Sequence, residues 1–260
     1  MMKVKDIIGA IEEFAPASLQ AEYDNTGLQT GSPEQEVHGV MIGFDCTAAL
    51  VKEAVEKGCD MIVTHHPLIY HPLRTINPDD PVGAAVTAAV KHGIAVYSSH
   101  TSADKTLGGV SWTMASKLGL QNVGVLSVEK DGTGFGAVGD LPEPLPVKAV
   151  LNLVRKAFGT PVLRCSKPVE GLVGRIAMCG GSGTSLIPSA IAAGAQMYIC
   201  GDISYHYFDM PEGFMVVDAG HFETEVEITG VLNSVIRKKF PTFVSLVSEH
   251  IGTANPVNYL

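Results

Sequence analysis

The 260-residue chain is 46% hydrophobic and 17% charged, a balance that supplies a buried core and excludes a disordered or coiled-coil chain. A net charge of −9 with no run of Lys and Arg excludes a direct nucleic-acid footprint, although bound cations can invert the local field for an anionic ligand. No stretch approaches the ~20 apolar residues of a membrane span, Glu12 and Glu13 interrupt any signal-like start, and five scattered cysteines make no disulfide framework, so a reduced, cytoplasmic protein is expected.

Val4, Ile7, Ile8, Ile11 and Phe14 recur at three- and four-residue spacing and predict an amphipathic helix over 4–14. Residues 23–37 carry Asn, Gly, Pro and Ser punctuation and read as irregular with room for one short strand. A repeating rhythm follows. Strand 40–42 runs into GFD, helix 47–57 stops at Gly58, strand MIVTHH spans 61–66, a helix covers 82–92, and strand IAVYSSH spans 94–100. A further helix is expected over 109–118. The Gly- and Pro-rich texture of 121–147 reads as a crossover into a second lobe. There the rhythm resumes with helix 147–158, strands 161–165 and 175–181, helix 184–193, strands 197–202 and 214–220, helix 222–239 and a last strand, FVSLVS. Alternating strands and helices predict two α/β lobes with mixed, largely parallel sheets flanked by helices. The first lobe is expected to take 1–125 with 205–260 and the second 126–204.

Polar residues gather at the C-terminal ends of these strands: His65 and His66, His100 with Asp104 beyond it, Asp202, and Asp218 with His221. That is the edge where parallel α/β sheets bind ligands. His221 and Glu225, four residues apart at a helix start, share one face and can clasp one ion. Pro67 disfavours helical geometry at His66, so the two adjacent rings are expected to point to different sides and to serve two ions. Asp104 is a natural carboxylate bridge. Imidazole and carboxylate without thiolate favour zinc, iron or manganese. Each piece also has a plainer reading. A His-His pair or a His and Glu one turn apart is common without metal, and His100 either supports a ligand from behind or closes a strand end. Asp202 and His206 form another pair four apart, yet Asp202 could equally cap the next helix. The segment CGGSGTS (179–185) has the glycines of a phosphate loop but no Lys, which favours a plain turn.

The motifs THHPL (64–68), SSHTSAD (98–104), ICGDISYH (199–206) and VVDAGHFETE (216–225), with YDNTGLQTG (23–31) and GFDCT (43–47), resemble the GTP cyclohydrolase I type 2-like, NIF3-like family in its short form. The resemblance covers almost the whole chain. It implies a dinuclear metal centre between two α/β lobes, a toroidal homohexamer and two divalent ions per chain held by His65, His66, Asp104, His221 and Glu225. His66 and Asp104 would serve one ion, His65 and His221 the other, and Glu225 both. The implied reaction is hydrolytic opening of the guanine imidazole ring of GTP at C8 with loss of formate, with Asp202 or His100 moving protons. Tyr23 stands where the family usually has Trp, Ser102 where it has Asn, and Lys105 follows the metal-binding Asp directly. The alternatives are a dinuclear phosphohydrolase or nucleotidase, and a non-catalytic metal-binding scaffold with protein partners.

Overall fold

In the computed structural model, which describes residues 1–259, the predicted helical period becomes helix α1 (Val4–Phe14), with Val4, Ile7, Ala10 and Ile11 buried. The chain continues through β1 (Gly27–Thr30), β2 (Gly39–Gly43), α2 (Ala48–Glu56), β3 (Met61–Thr64), α3 (Pro81–Lys91), β4 (Ala95–Ser98), α4 (Thr101–Lys105) and α5 (Val110–Lys117). Next come β5 (Gln121–Val128), β6 (Gly134–Pro146), α6 (Val147–Phe158), β7 (Arg164–Cys165), β8 (Leu172–Ser182), α7 (Ile187–Ala192) and β9 (Met197–Gly201). The last elements are β10 (Met215–Asp218), α8 (His221–Glu225), α9 (Ile228–Lys239) and β11 (Val244–Val247). Among the described residues no helix is long and apolar enough to cross a membrane.

Two compact units form. The first holds Met1–Ala103 and Ile228–Pro256 around a five-stranded sheet in the order β1-β4-β3-β2-β11. Strands β11, β2, β3 and β4 are parallel, with β1 antiparallel on the edge. The register pairs Gly43 with Thr64 and Thr64 with Ser98, so the segments after β2, β3 and β4 leave the sheet side by side. Leu50 and Val51 of α2 and Ala85 and Val86 of α3 cover Met41, Ile62 and Val96 on one face, each large side chain contributing about 1.5–3 kcal/mol by burial.

The second unit holds Asp104–Glu227 and the last residues from Val257, around a sheet in the order β5-β6-β8-β9-β10-β7. Only β8, β9 and β10 run parallel, while β5/β6, β6/β8 and β10/β7 are antiparallel. Both sheets are therefore mixed, and the parallel character is concentrated in the first. The compact units divide at Ala103/Asp104 and Glu227/Ile228 instead of at 125/126 and 204/205. The reason is pairing: β10 adds in parallel to β9, and α5 packs on β6 and β8, which draws both into the second unit. The stretch 121–146, expected as a crossover, is a long hairpin, and the helix expected over 222–239 breaks at Val226–Glu227, where the chain passes between units.

In the first unit the irregular segment before β1 is anchored by one carboxylate. The Asp24 side chain is wholly buried and accepts from Asn25 N at 2.7 Å, Thr26 Oγ1 at 2.9 Å, Thr101 N at 3.0 Å, Thr101 Oγ1 at 2.5 Å and His100 Nδ1 at 2.7 Å. Burial alone would push its pKa up, but the hydrogen bonds from His100 and Thr101 outweigh it and hold the group well below the usual carboxylate range. Asp24→Asn, which turns an acceptor into a donor facing donors, is expected to destabilise the protein by about 3 kcal/mol in urea unfolding at pH 7. Because the folded pKa is depressed, this stabilisation is complete above the unfolded value of ~3.9 and is lost as pH falls below it. The acid limb of stability against pH should accordingly be shallower in the variant.

Candidate metal centre

The aligned strand ends of the first unit bring His65, His66 and His100 together. One ring nitrogen from each lies within 4.8 Å of the others, and the ring centroids are 5.0 Å (His65–His66), 5.3 Å (His65–His100) and 5.4 Å (His66–His100) apart. The two adjacent rings thus gather into one cluster instead of pointing to different sides. The chain bends immediately after β3, and Phe44 packs against both rings at 5.8 Å and 4.5 Å. Each ring is held from behind. His65 Nδ1 lies 3.1 Å from the Ser99 carbonyl, His66 Nδ1 2.7 Å from Asp45 Oδ1, and His100 Nδ1 2.7 Å from Asp24 Oδ1. Carbonyl and carboxylate oxygens only accept, so Nδ1 carries the hydrogen and the lone pair sits on Nε2, the tautomer with which a metal-ligating histidine is backed.

The second unit repeats the device. Asp202 follows β9 with φ +53°, a left-handed conformation that Asp tolerates better than most non-glycine residues. Its Oδ2 accepts from His221 Nδ1 at 2.7 Å, and His221 opens α8 directly after Gly220. One turn on, the buried Glu225 places Oε2 3.0 Å from His221 Nε2. An imidazole nitrogen and a carboxylate oxygen this close are ligand types that one divalent cation could share. Asp104, on α4, offers a carboxylate oxygen within 4.8 Å of one from Glu225. The glycines of CGGSG make room for this arrangement: a Cβ on Gly181 would run into the Glu225 carboxylate, and one on Gly180 would lie 3.0 Å from Glu225 Cγ. Gly201 is constrained similarly, since its Cβ would lie 2.7 Å from His221 Cα. The Cys179 thiol nearby is pushed up by burial first and then by the charges of Asp104 and Glu225, so it stays protonated.

Other expected participants serve elsewhere. Asp218 pairs with Arg164 and accepts from Ile203 N and Gly220 N at 3.0 and 3.1 Å, which shapes the turn into His221. Asp202 turns to His221, while His206 lies on an exposed 3-10 turn. Lys105 is buried, bonds Glu129 at 2.7 Å and sits 4.8 Å above the Phe135 ring. Ser102 is buried 3.2 Å from the Ser99 hydroxyl, and Tyr23 is exposed. The residues missed by sequence reasoning are the acceptors Asp24 and Asp45. Their signal lay in the YDNTG and GFDCT segments, where Asp24 precedes the strand that starts opposite Ser98 and Asp45 follows the strand that ends opposite Thr64.

The donor set and its backing fit divalent cations of the zinc, iron or manganese type. Residues 2–255 match the Duf34/NIF3 (NGG1p interacting factor 3) family. A GTP cyclohydrolase 1 type 2 homolog of Clostridium perfringens is 32% identical over 251 residues, covering 95% of each chain, and one from Lactococcus lactis is 36% identical over 226 residues, covering 85% of this chain and 86% of that one. The crystal structure of a Bacillus cereus protein related to NIF3 superimposes with a TM-score of 0.92 at 22% identity over 100% of this chain and 99% of that one. Reduced HcgD from Methanocaldococcus jannaschii does so at 0.81 and 28% identity over 95% and 98%. The chain belongs to the Duf34/NIF3 family.

Proposed function

We propose that His65, His66, Asp104, His221 and Glu225 together hold two divalent ions and that the protein is a metal-dependent hydrolase acting on a purine nucleotide, with GTP as its substrate. The observation that carries this reading is that His65, His66, His100 and His221 all donate Nδ1–H to an oxygen of their own unit, which prepares Nε2 of each. Such ions supply a water activated for attack near neutral pH. In the hydrolysis proposed, water adds at C8 of the guanine ring, the C8–N9 bond breaks with N9 taking a proton, and a second water adds to the resulting N7 formyl group, breaking C8–N7 with N7 taking a proton and C8 leaving as formate. Asp45, Asp24 and Asp202 keep the rings from rotating as charge develops. His100, whose ring joins the histidine pair, and Asp202, whose carboxylate is exposed, are the groups proposed to move protons. The names of the curated relatives support the choice of GTP. The same reading carries a homohexamer and a cytoplasmic location.

Protein purified without chelator is expected to contain about two equivalents of zinc, iron or manganese per chain by elemental analysis, and His66→Ala to contain one or none. No metal in the wild type, even after soaking in each ion, would remove the reading. Asp45→Asn, which takes away the carboxylate behind His66, should weaken divalent binding about 10–100-fold in competition with a chelating dye. Gly181→Ala should weaken it also, through the displaced Glu225. A panel of nucleotides scored separately for formate and phosphate should give formate from GTP. Phosphate without formate would favour a dinuclear phosphohydrolase, and no turnover with partners and oligomer retained in His66→Ala would favour a scaffold.

A further inference from the structure

The first unit contains a cavity of about 500 Å³ apart from the histidine cluster, within the ~300–1,000 Å³ range of small-molecule sites. Its position follows from strand order. From β2 the sheet grows through β3 to β4 on one side, while β11 adds in parallel on the other side of β2, so the strand order reverses between β2 and β11. Ligands of open α/β sheets bind outside the carboxyl ends of the strands at such a reversal. The cavity lies there: Phe44 and Asp45 after β2 form one wall, Ser248, His250 and Ile251 after β11 another, and the first two turns of α2 the third.

The chemistry of the lining selects a ligand class. Leu50, Phe44 and Ile251 supply apolar surface, and the lining contains no Lys or Arg. It does contain two carboxylates. Glu53 is 5% exposed, its Oε1 accepting from Glu249 N at 2.8 Å and its Oε2 from Ser248 Oγ at 2.5 Å. Asp45 commits Oδ1 to His66 and keeps acceptor capacity on Oδ2. A phosphate would be repelled, whereas an uncharged ligand edge with adjacent N–H donors would be paired. At the opening of α2 the Thr47 side chain caps Leu50 N at 3.1 Å, and the amides of Ala48 and Ala49, which have no carbonyl within their own helix to bond, suit a ligand carbonyl. Adjacent N–H donors next to a carbonyl, on an apolar ring system small enough for this volume, describe the guanine edge.

We propose that this crevice between β2 and β11 is a binding site for a guanine-type nucleoside, its N–H edge on the carboxylates of Asp45 and Glu53. Asp45 would then touch the base on one oxygen and hold His66 on the other. The assignment deepens the nucleotide reading and rests on it for the identity of the ring, but it concerns binding alone.

The test is calorimetric titration of the full-length protein with guanosine, xanthosine and adenosine. Xanthosine replaces the 2-amino donor by a carbonyl, and adenosine lacks the paired donor edge. Guanosine should bind saturably and the other two at least tenfold more weakly. Ala49→Trp and Ala254→Trp, at two exposed positions of the cavity lining, should each weaken guanosine binding at least tenfold while leaving the thermal midpoint and metal content unchanged. Guanosine binding that both variants leave intact, equal binding of xanthosine, or no binding of guanosine at millimolar concentration would each overturn the site. Absence of formate from GTP would overturn the hydrolytic reading and leave the binding result standing, so the two failures are distinguishable.

Discussion

The site depends on a hydrogen bond repeated four times, from an imidazole Nδ1 to an oxygen fixed by the fold. An imidazole alone has two tautomers and a freely turning ring. An acceptor behind Nδ1 removes one tautomer and most of the rotation, and the charge-assisted bond from His100 to the buried Asp24 carboxylate contributes about 1.5–3 kcal/mol. Sheet register is what brings acceptor and ring together. Because Gly43 is opposite Thr64 and Thr64 opposite Ser98, Asp45, His66 and Ser99 emerge at nearly the same height, and a slip of one residue would face them to opposite sides.

The acceptors have a hierarchy of their own. Asp24 must satisfy five donors and is wholly buried, so it holds His100 and Thr101 in place whether or not a ligand is present. Asp45 and Asp202 are partly exposed, and each takes a single histidine. Asp202 also stores backbone strain, its positive φ being maintained by a short turn between β9 and the Asp218 carboxylate that caps Ile203 N. Strain at the residue that holds His221 fits a site whose geometry is kept at some cost in stability.

Much of the framework was legible because its signals are local. The spacing of Val4, Ile7 and Ile11 marks α1, and an apolar run ending in His65 marks both a strand and its functional edge. The hairpin over 121–146 was not legible, since glycines and prolines conceal strands whose stability comes from partners in β8 rather than from their own pattern. Nor was the break between α8 and α9, because the apolar period runs through a boundary that pairing of β10 with β9 imposes. At the site, ligand-type residues stood out at strand ends, but which carboxylate backs which ring depends on approaches such as 24 to 100, 45 to 66 and 202 to 221, which no local pattern encodes. Asp218 looked like a site residue for the same reason that Asp202 did, but its partners, Arg164 and the amides of Ile203 and Gly220, give it another role.

Charge supplies the last step. The first unit sets Asp24 and Asp45 behind its histidines, and the second sets Asp104, Asp202 and Glu225 beside its own. Lys105, next to Asp104 in sequence, faces Glu129 and Phe135, and Arg164 faces Asp218 and Phe208. In the second unit the buried Glu225 has a carboxylate oxygen within 4.8 Å of one from Asp104, and such a pair is repulsive unless positive charge enters it. His221 can carry one proton toward Glu225, but protonation at Nε2 would use the lone pair that Asp202 prepares. A divalent cation would neutralise the carboxylates and use that lone pair at once, and would therefore satisfy both constraints where a proton satisfies one.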